Sequence, residues 1–345
     1  MLPLFEKFIQ ASSSGRRTCA SGKRIASGSL EQYNCVGLLL KAYENFTGLI
    51  LRIKLVSSNS LRELQKEKTY WKRFFRGFTT FLYKKRNCYD TYVASVLKII
   101  KSFFNYLNHE KCIPVGQFHK QFKLPHQAYN PIVLLPDQLR FLIADNAFEN
   151  SLSASLQRTK DIFVFGCTVG LRFSDLMHIK KQDIIHTSKG AFINIQTQKT
   201  STYVSIPLPG YVSNIVNKYK KHTGKYLLPT ISCSQLNVQL KILACKAGWT
   251  YILPKVRHRQ GQPLEIKTNS GKTYRFCDHI TTHTMRRTAI TTLLMMGVPE
   301  LVVRRVSGHA PGSKEFYKYV AIAEDYLQDK VKTAFEQLVA VQQED

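Results

Sequence analysis

Apolar residues at helical spacing in residues 61–86 place the tightest constraint on how this chain folds. They recur every three or four positions, which is the period of one face of an α-helix. This apolar face comprises Leu61, Leu64, Trp71, Phe74, Phe75, Phe78, Phe81 and Leu82. The opposite face carries Lys66, Lys68, Lys72, Arg73, Arg76, Lys84, Lys85 and Arg86. The stretch therefore predicts a long amphipathic helix that buries aromatic side chains and exposes basic ones.

Two more helices are predicted in the first third of the chain. One spans about residues 91–107, where apolar residues keep the same spacing. The other begins near Ser29, a residue type suited to capping a helix. Before it, residues 12–29 are rich in Ser, Gly and basic residues, which indicates a flexible segment that either contacts DNA phosphates or is a plain loop. A small helical domain with basic faces is expected.

Prolines separate this domain from the rest of the chain. Pro125, Pro131 and Pro136 interrupt helical continuity and predict a linker. The predicted organisation is a helical domain of residues 1–124, a linker of 125–136 and a second domain of 137–345.

The second domain mixes helix and strand. Alternating residues predict one β-hairpin from 191–197 and 202–206, and another from 262–268 and 272–276. Helices are predicted at 283–296 and 299–306, and an amphipathic tail helix from Glu324 to Val341. The fold class is therefore mainly α with small β-hairpins.

Charge points to the partner of the protein. The chain has 50 Lys and Arg against 23 Asp and Glu, a net charge of +27, and both halves are basic. A basic surface attracts polyanions, so double-stranded DNA is the favoured partner. A basic ribosome-associated protein and an unusually soluble enzyme are the alternatives.

Cysteine usage and apolar runs indicate the compartment. The eight cysteines form no Cys-x-x-Cys and no zinc-ligand spacing, which predicts small core residues in a reducing compartment. The sequence has no apolar run near the 20 residues that cross a bilayer, and charged residues interrupt its start. A soluble, cytoplasmic protein with no membrane association is expected.

Four short segments contain residues suited to catalysis. They are GCTVGLRFSDL with Arg172 and Asp175, the hairpin tip with Lys199, HTMRRT with His283 and Arg286, and SGHAPGSKEFYKY with His309, Tyr317 and Tyr319. Taken singly, each has an ordinary explanation, such as a surface ion pair, a capping histidine, a solvated lysine or a packed phenol. Their combination and order within one basic domain call for a shared explanation.

This order resembles the tyrosine recombinase, or phage-type integrase, family. The resemblance covers about residues 136–335, and more loosely the helical domain before them. Residues 170–176 match the family's T-G-L-R-x-S-[DE]-L pattern except that Val169 replaces Thr. The H-x-x-R pair is present, and Ser307 stands where the family's L-G-H has Leu. The sequence around FYKYV is most similar to that of integrases from mobile elements in Bacteroidetes-type bacteria.

The resemblance implies a role for each matched residue. Arg172 and Arg286 correspond to the two arginines that hold the phosphate, and Asp175 to the acidic support of the first arginine. Lys199 corresponds to the hairpin lysine that protonates the leaving 5′-hydroxyl. The two histidines, His283 and His309, would assist by proton transfer and hydrogen bonding.

The position of the nucleophile departs from the family spacing. A tyrosine about nine residues after the final histidine is expected, but Tyr317 lies eight and Tyr319 ten residues after His309. Relatives with F-x-K-Y-I place the nucleophile at the second tyrosine, and an extra residue near Pro311 and Gly312 would explain the shift. We predict Tyr319, with Tyr317 as the alternative and Tyr326 as a remote one.

The implied chemistry suits these residue types. Guanidinium groups neutralise the non-bridging phosphate oxygens, and the attacking tyrosine forms a 3′-phosphotyrosyl bond that conserves the energy of the phosphodiester. The sequence offers no carboxylate cluster of the kind that holds two Mg²⁺ ions, so no metal and no cofactor are expected.

The resemblance also implies architecture and partners. Two basic domains would form a C-shaped clamp around duplex DNA, with contacts from the basic residues of the first domain. Those predicted to contact DNA are Lys68, Lys72, Arg73, Arg76, Lys84, Lys85 and Arg86. A homotetramer on DNA is expected, supported by the tail helix, with possible accessory DNA-bending or directionality factors in the bacterial nucleoid.

Two other functions remain open. Residues 283–306 resemble a helix-turn-helix, so the chain could be a non-catalytic DNA-binding regulator. A type IB topoisomerase would keep the chemistry without strand exchange.

Overall fold

The structure is a computed structural model that describes residues 1–19, 22–55, 60–123, 125, 131–188, 190–198, 201–221, 224–309 and 312–340. The chain divides into two compact units. Unit 1 comprises Met1–Ala128 and Lys255–Ile266, and unit 2 comprises Tyr129–Pro254 and Lys267–Asp345. A short segment from the second half of the sequence therefore belongs to the first unit.

Unit 1 is a helical bundle around an aromatic core. Its helices are α1 (Leu2–Ser13), α2 (Ser27–Thr47), α3 (Leu61–Lys84) and α4 (Asp90–Asn105), followed by a π-helical turn (Tyr106–Glu110) and a 3-10 turn (Phe118–Gln121). Helix α3 buries Trp71, Phe74 and Phe78, and the Trp71 ring meets Phe104 of α4 edge-on at 4.8 Å. The two long helices predicted from apolar spacing are confirmed.

The basic segment near the N-terminus differs from the prediction. Helix α1 covers residues 2–13, which the sequence analysis did not foresee. The guanidinium group of Arg17 lies 4.7 Å from the Phe8 ring centroid and donates to Glu110 at 3.2 Å and to Ser102 at 3.1 Å. Arg17 is therefore held against the bundle, so this residue is neither part of a free loop nor available to DNA phosphates.

Unit 2 is mainly helical with one small antiparallel sheet. Its elements are α5 (Pro136–Ala144), α6 (Asn146–Ser151), α7 (Ala154–Val169), α8 (Phe173–Met177), a 3-10 turn (Lys181–Asp183), β1 (Ile184–Thr187), β2 (Gly190–Gln196), β3 (Tyr203–Leu208), α9 (Gly210–Lys220), α10 (Cys233–Lys246), α11 (Phe276–His279), α12 (Thr282–Met295), α13 (Glu300–Ser307) and α14 (Lys314–Ala340). The sheet order is β1-β2-β3, with Ile193 paired to both Ile184 and Ile206. The first hairpin is confirmed, and β1 adds an unpredicted third strand.

Helices α7 and α12 form the centre of unit 2. A side chain at Gly166 would place its Cβ 2.4 Å from the Met285 sulfur, so glycine is what allows the two helices to approach. Helix α7 carries buried residues on all sides, including Ile162, Phe163 and Phe165. This packing fixes the ends of α7 and α12, where the site is built.

The second hairpin lies earlier in the chain than predicted. Its strands are β4 (Lys255–Arg259) and β5 (Gln262–Ile266), while the predicted turn at residues 269–271 is closed only by the bridge between Lys267 and Thr273. The turn of the real hairpin is held within unit 1, because the Asp90 carboxylate accepts the backbone N–H of Gln260 at 2.8 Å and of Gly261 at 3.0 Å. That tertiary contact selects a register that local sequence does not specify.

The C-terminal helix and the cysteines also differ from the sequence-based prediction. Helix α14 begins at Lys314, so the two candidate tyrosines lie in the same helix as the predicted tail, whose last residue Val341 is outside the described residues. None of the eight cysteines forms a disulfide, and only two of them, Cys167 and Cys277, are buried, whereas Cys19, Cys35, Cys112 and Cys233 are exposed. The prediction that the cysteines are core residues is wrong for these four.

Candidate active site

Arg172 is placed by a sharp break between two helices. Helix α7 ends at Gly170, which adopts a left-handed conformation with φ of 65°, and α8 begins directly after Arg172. A Cβ at position 170 would lie 3.1 Å from that of Ala289, so both the backbone and the packing favour glycine. Arg172 is half-buried, and its Nη1 is enclosed without a hydrogen-bond partner among the residues described.

Arg286 lies on α12 and is held by backbone carbonyls. Its Nη1 donates to the Gly170 carbonyl at 3.0 Å and its Nη2 to the Ser307 carbonyl at 2.6 Å. Only 7% of Arg286 is exposed. Burial, and then the nearby charge of Arg172, lower the pKa of Arg286 to about 10, so it keeps its charge at neutral pH. Arg286 is therefore a fixed cation that lies beside a second cation, Arg172.

His309 lies against Arg286. The Arg286 Nη2 is 3.3 Å from Nδ1 of the His309 ring and 3.4 Å from Nε2. Burial, followed by the charges of Arg286 and Arg172, lowers the pKa of His309 to about 4. The imidazole is therefore neutral at neutral pH.

Asp175 bonds to the β2–β3 hairpin. Its Oδ1 accepts the backbone N–H of Gln198 at 2.9 Å, and its Oδ2 is buried with no partner in the described part of the chain. Asp175, predicted to support Arg172, therefore anchors the end of the hairpin strand that leads to Lys199. Lys199 itself lies outside the described residues.

The described end of the hairpin adjoins the histidine turn. A Cβ at Gly308 would be 3.8 Å from a Val204 methyl and 4.0 Å from the Thr197 methyl. The hairpin is closed there by the Thr197 N–H donating to the Thr202 carbonyl at 2.9 Å. Residues on either side of the hairpin tip therefore lie beside the segment that carries His309.

The two candidate tyrosines occupy different environments on α14. Tyr319 is 9% exposed, and its ring centroid lies 6.1 Å from that of His309. Tyr319 also interacts electrostatically with Arg286. Tyr317 is 54% exposed, and the guanidinium group of Arg304 lies 5.1 Å from its ring centroid.

His283 occupies the first turn of α12, one helical turn before Arg286, and its side chain is exposed.

The structure gathers Arg172, Arg286, His309 and Tyr319 around one point. Phe316 was not singled out from the sequence, yet it lies between the His309 ring at 5.5 Å and the Arg304 guanidinium at 3.9 Å. Only its position in FYKYV hinted at a role.

Neither a membrane-spanning helix nor a metal-binding cluster is present in the described part of the chain. No helix in the described part of the chain is both long and apolar enough to cross a bilayer. Within the same residues, no group of three or more His, Cys, Asp or Glu side chains is arranged to hold a metal ion.

Comparison with models of protein families identifies the family of this chain. The phage integrase family matches residues 133–325, which is more than half of the chain. The chain belongs to the phage integrase family. It is therefore a tyrosine-type site-specific recombinase. A search of the curated proteins found no significant match.

Solved structures of tyrosine recombinases share the integrase fold of this chain. A lambda integrase dimer bound to a core site has a TM-score of 0.58 at 10% identity, over 92% of this chain and 94% of that one. The XerH recombinase bound to a palindromic difH substrate has a TM-score of 0.58 at 13% identity, over 95% and 87%. The Tn1549 transposon integrase in complex with circular intermediate DNA has a TM-score of 0.55 at 14% identity, over 92% and 94%.

The basic residues predicted to bind DNA lie in unit 1 of the integrase. All seven are exposed, and none forms an ion pair with another described residue: Lys68, Lys72, Arg73, Arg76, Lys84, Lys85 and Arg86. The acidic residues of α3 are Glu63 and Glu67, and the Glu67 carboxylate pairs with Arg52 at 2.6 Å. The exposed face of α3 after Glu67 is therefore uniformly positive.

Proposed function

We propose that this integrase cleaves and rejoins duplex DNA with Tyr319 as the nucleophile, through a covalent 3′-phosphotyrosine. The observation that carries the proposal is the convergence of Arg172, Arg286, His309 and Tyr319, which come from three separate segments of the chain. An ordinary structural role for each residue would not require this convergence.

The two arginines bind the scissile phosphate. A guanidinium group donates along two parallel directions and stays charged, which suits the non-bridging oxygens of a phosphodiester. The Nη1 of Arg172 is enclosed and has no partner among the described residues, so a phosphate bound beside it would supply the missing acceptor. Arg286 is prevented from turning away by its two carbonyl bonds. Donors fixed before the reaction stabilise the charge of the transition state.

The reaction balances without a metal or a further reactant. The Tyr319 hydroxyl oxygen attacks phosphorus, the bond from phosphorus to the 5′ oxygen breaks, and Lys199 gives a proton to the leaving 5′ oxygen. His309 or His283 accepts the tyrosine proton and hydrogen-bonds the phosphate. Rejoining reverses these transfers with the 5′-hydroxyl of a new strand.

Tyr319 is favoured over Tyr317 because of where each ring lies. The Tyr319 ring neighbours His309 and interacts with Arg286, whereas Tyr317 is directed toward Arg304 and solvent. A nucleophile must lie near the groups that hold the phosphate.

Duplex DNA is the proposed partner of the basic face of α3. Seven unpaired cations along the C-terminal two-thirds of that helix and just beyond its end supply the sequence-independent part of binding, since each phosphate contact releases a counterion. In this proposal, residues 1–124 bind DNA, 125–136 link the domains, and 137–345 catalyse. The clamp-like closure of the two domains around DNA stays a prediction.

A homotetramer on DNA is the proposed assembly. Along α14, Leu327, Val331 and Phe335 are exposed at 41%, 56% and 66%. Spaced by four residues, they form an apolar stripe that a neighbouring protomer would cover. A lambda integrase tetramer bound to a Holliday junction, with a TM-score of 0.54 at 13% identity, supports this assembly. Membership of the Bacteroidetes mobile-element group, association with the nucleoid and accessory DNA-bending or directionality factors belong to the same proposal.

The test is to trap the covalent intermediate on nicked half-site duplexes made from the DNA that flanks the gene. We expect a detergent-resistant adduct in the presence of a chelator. Trypsin cuts after Lys318 and separates the two candidates, because Tyr317 falls in residues 315–318 and Tyr319 in residues 319–330. Mass spectrometry should find the nucleotide on Tyr319. Tight binding with no adduct would instead support a DNA-binding regulator.

A further inference from the structure

Ser307 occupies a position that the family pattern does not explain. It is the last residue of α13, directly before the Gly308–His309 turn, where the family has leucine. Only 2% of Ser307 is exposed. A buried hydroxyl in place of an apolar side chain needs hydrogen-bond partners.

The hydroxyl of Ser307 has two close partners. Its Oγ donates to the Val303 carbonyl at 2.6 Å and lies 2.8 Å from Nδ1 of His309. A hydroxyl has one proton, and a contact of 2.6 Å between two oxygens requires that proton to lie between them. The proton on the contact with His309 must therefore come from the imidazole. This assigns the tautomer of His309 with the hydrogen on Nδ1 and an acceptor at Nε2.

The backbone of Ser307 holds the second arginine. Its carbonyl accepts from Nη2 of Arg286 at 2.6 Å. One buried residue thus sets the ring of His309 through its side chain and the guanidinium of Arg286 through its main chain. Arg286 Nη2 lies 3.4 Å from His309 Nε2, the ring atom that the serine leaves without a hydrogen.

We infer that Ser307 is a positioning residue that locks His309 as the Nδ1–H tautomer and leaves Nε2 as the acceptor on the side of Arg286. Its effect on the rate of cleavage rests on the proposed function, whereas its effect on the tautomer does not.

An ordinary explanation accounts for only part of the geometry. Serine in a helix often donates to the carbonyl four residues earlier, and Ser95 does so to Thr91 at 2.9 Å. That bond explains the contact of Ser307 with Val303. The contact with His309 is additional, so Ser95→Ala serves as the matched control for losing a helical serine.

The test combines a spectroscopic measurement with a kinetic one. In protein with ¹⁵N-labelled histidine at pH 7.5, long-range proton–nitrogen NMR distinguishes the two tautomers, and a His309→Gln variant assigns the signals. Wild type and Ser307→Thr should show hydrogen on Nδ1. Ser307→Ala should shift His309 toward the Nε2–H tautomer, and Ser95→Ala should leave it unchanged.

On the nicked half-site duplex, Ser307→Ala should slow adduct formation at saturating protein about tenfold, the effect of losing one hydrogen bond. Its DNA affinity should stay unchanged, and Ser307→Thr should restore the rate. The inference is overturned if Ser307→Ala keeps the wild-type tautomer, or if rate, affinity and melting temperature fall together. Absence of an adduct from wild type would count against the proposed function, while the NMR result would still decide the tautomer.

Discussion

Arg286 and the basic face of α3 use the same kind of side chain in opposite ways. Arg286 is 7% exposed, bonded to two carbonyls and shifted in pKa, whereas Arg73 and Arg76 are exposed and unpaired among the described residues. In the proposed function, the first arrangement fixes donors at a single phosphate. The second would present charge to a long polyanion and leave each side chain free to adapt.

In the proposed function, the buried arginine serves catalysis and the exposed arginines serve DNA binding. A buried cation acts through its position, so replacing it with another cation is damaging. An exposed cation acts through its charge and through counterion release, so its contribution falls with salt. Substitutions that preserve charge should therefore distinguish the two regions.

The largest effect is expected for Arg286→Lys. An ammonium group cannot donate along two fixed directions, and burial favours its neutral form more readily than that of a guanidinium. Adduct formation on the nicked half-site should fall about 1,000-fold, as expected when a fixed transition-state donor is removed. Affinity for intact duplex should change less than about threefold, because the substitution conserves the charge.

Arg287→Lys is the matched control, because Arg287 is adjacent in α12 but only half-buried. It should cleave at the wild-type rate. If both variants lost cleavage activity equally, the loss would come from damage to α12 and not from the missing guanidinium group of Arg286. The proposed difference between buried and exposed cations would then be wrong.

The next largest effect is expected for Arg73→Ala combined with Arg76→Ala. These arginines lie opposite the buried face of α3 and line two open grooves of about 550 and 590 Å³. The combined loss should weaken duplex binding about 100-fold and flatten its salt dependence by about two phosphate contacts. Cleavage of DNA already bound should keep its rate.

Lys84→Ala is the comparison for this helix, since Lys84 borders only one of the two grooves. Selection from a library of randomised duplexes should give the same sequence preference as wild type, with lower overall affinity. The arginine variants should also keep the wild-type sequence preference, because the exposed face contacts phosphates. A lost preference at guanines, which arginine reads in the major groove, would show that Arg73 or Arg76 contacts bases instead.

The smallest effect concerns a buried titratable group behind α3. His119 is 2% exposed, stacks on Phe104 at 5.2 Å and bonds to Asn105 at 2.9 Å. Burial lowers the pKa of His119 from 6.5 to about 4. The unfolded chain therefore binds the proton more readily, and stability is complete above pH 6.5 and falls as the pH drops toward 4.

At pH 5 this linkage should reduce the free energy of unfolding of unit 1 by about 1–2 kcal/mol. Chemical denaturation of a Trp249→Phe variant at pH 7 and pH 5, followed by the fluorescence of the remaining Trp71, measures it. His119→Phe removes the titrating group and should show a smaller pH dependence. A wild type with equal stability at both pH values would contradict the neutral, buried imidazole.

Much of the fold could be predicted from the sequence because periodicity reports burial. The apolar spacing of residues 61–86 and 91–107 was sufficient to identify α3 and α4. The position of the second hairpin could not be predicted, because the contact of Asp90 with Gln260 and Gly261 joins residues 170 positions apart. Local patterns contain no information about such a partner.

The site was predictable as a set of residue types but not as a geometry. The motifs gave Arg172 and Arg286, and the structure brings them together through Gly170. Ser307 appeared only as a departure from a pattern, since its bond to His309 depends on a tautomer that the sequence does not contain. Two tyrosines two positions apart on a helix face opposite sides, yet periodicity does not say which side holds the phosphate.

The central claim is that the buried tyrosine beside the paired arginines is the nucleophile, and it is tested most directly by comparing Tyr319→Phe with Tyr317→Phe. Both variants should bind the nicked half-site duplex as wild type does. Tyr319→Phe should form no covalent adduct, and Tyr317→Phe should form it at the wild-type rate. An adduct that persists in Tyr319→Phe and disappears in Tyr317→Phe would contradict the account.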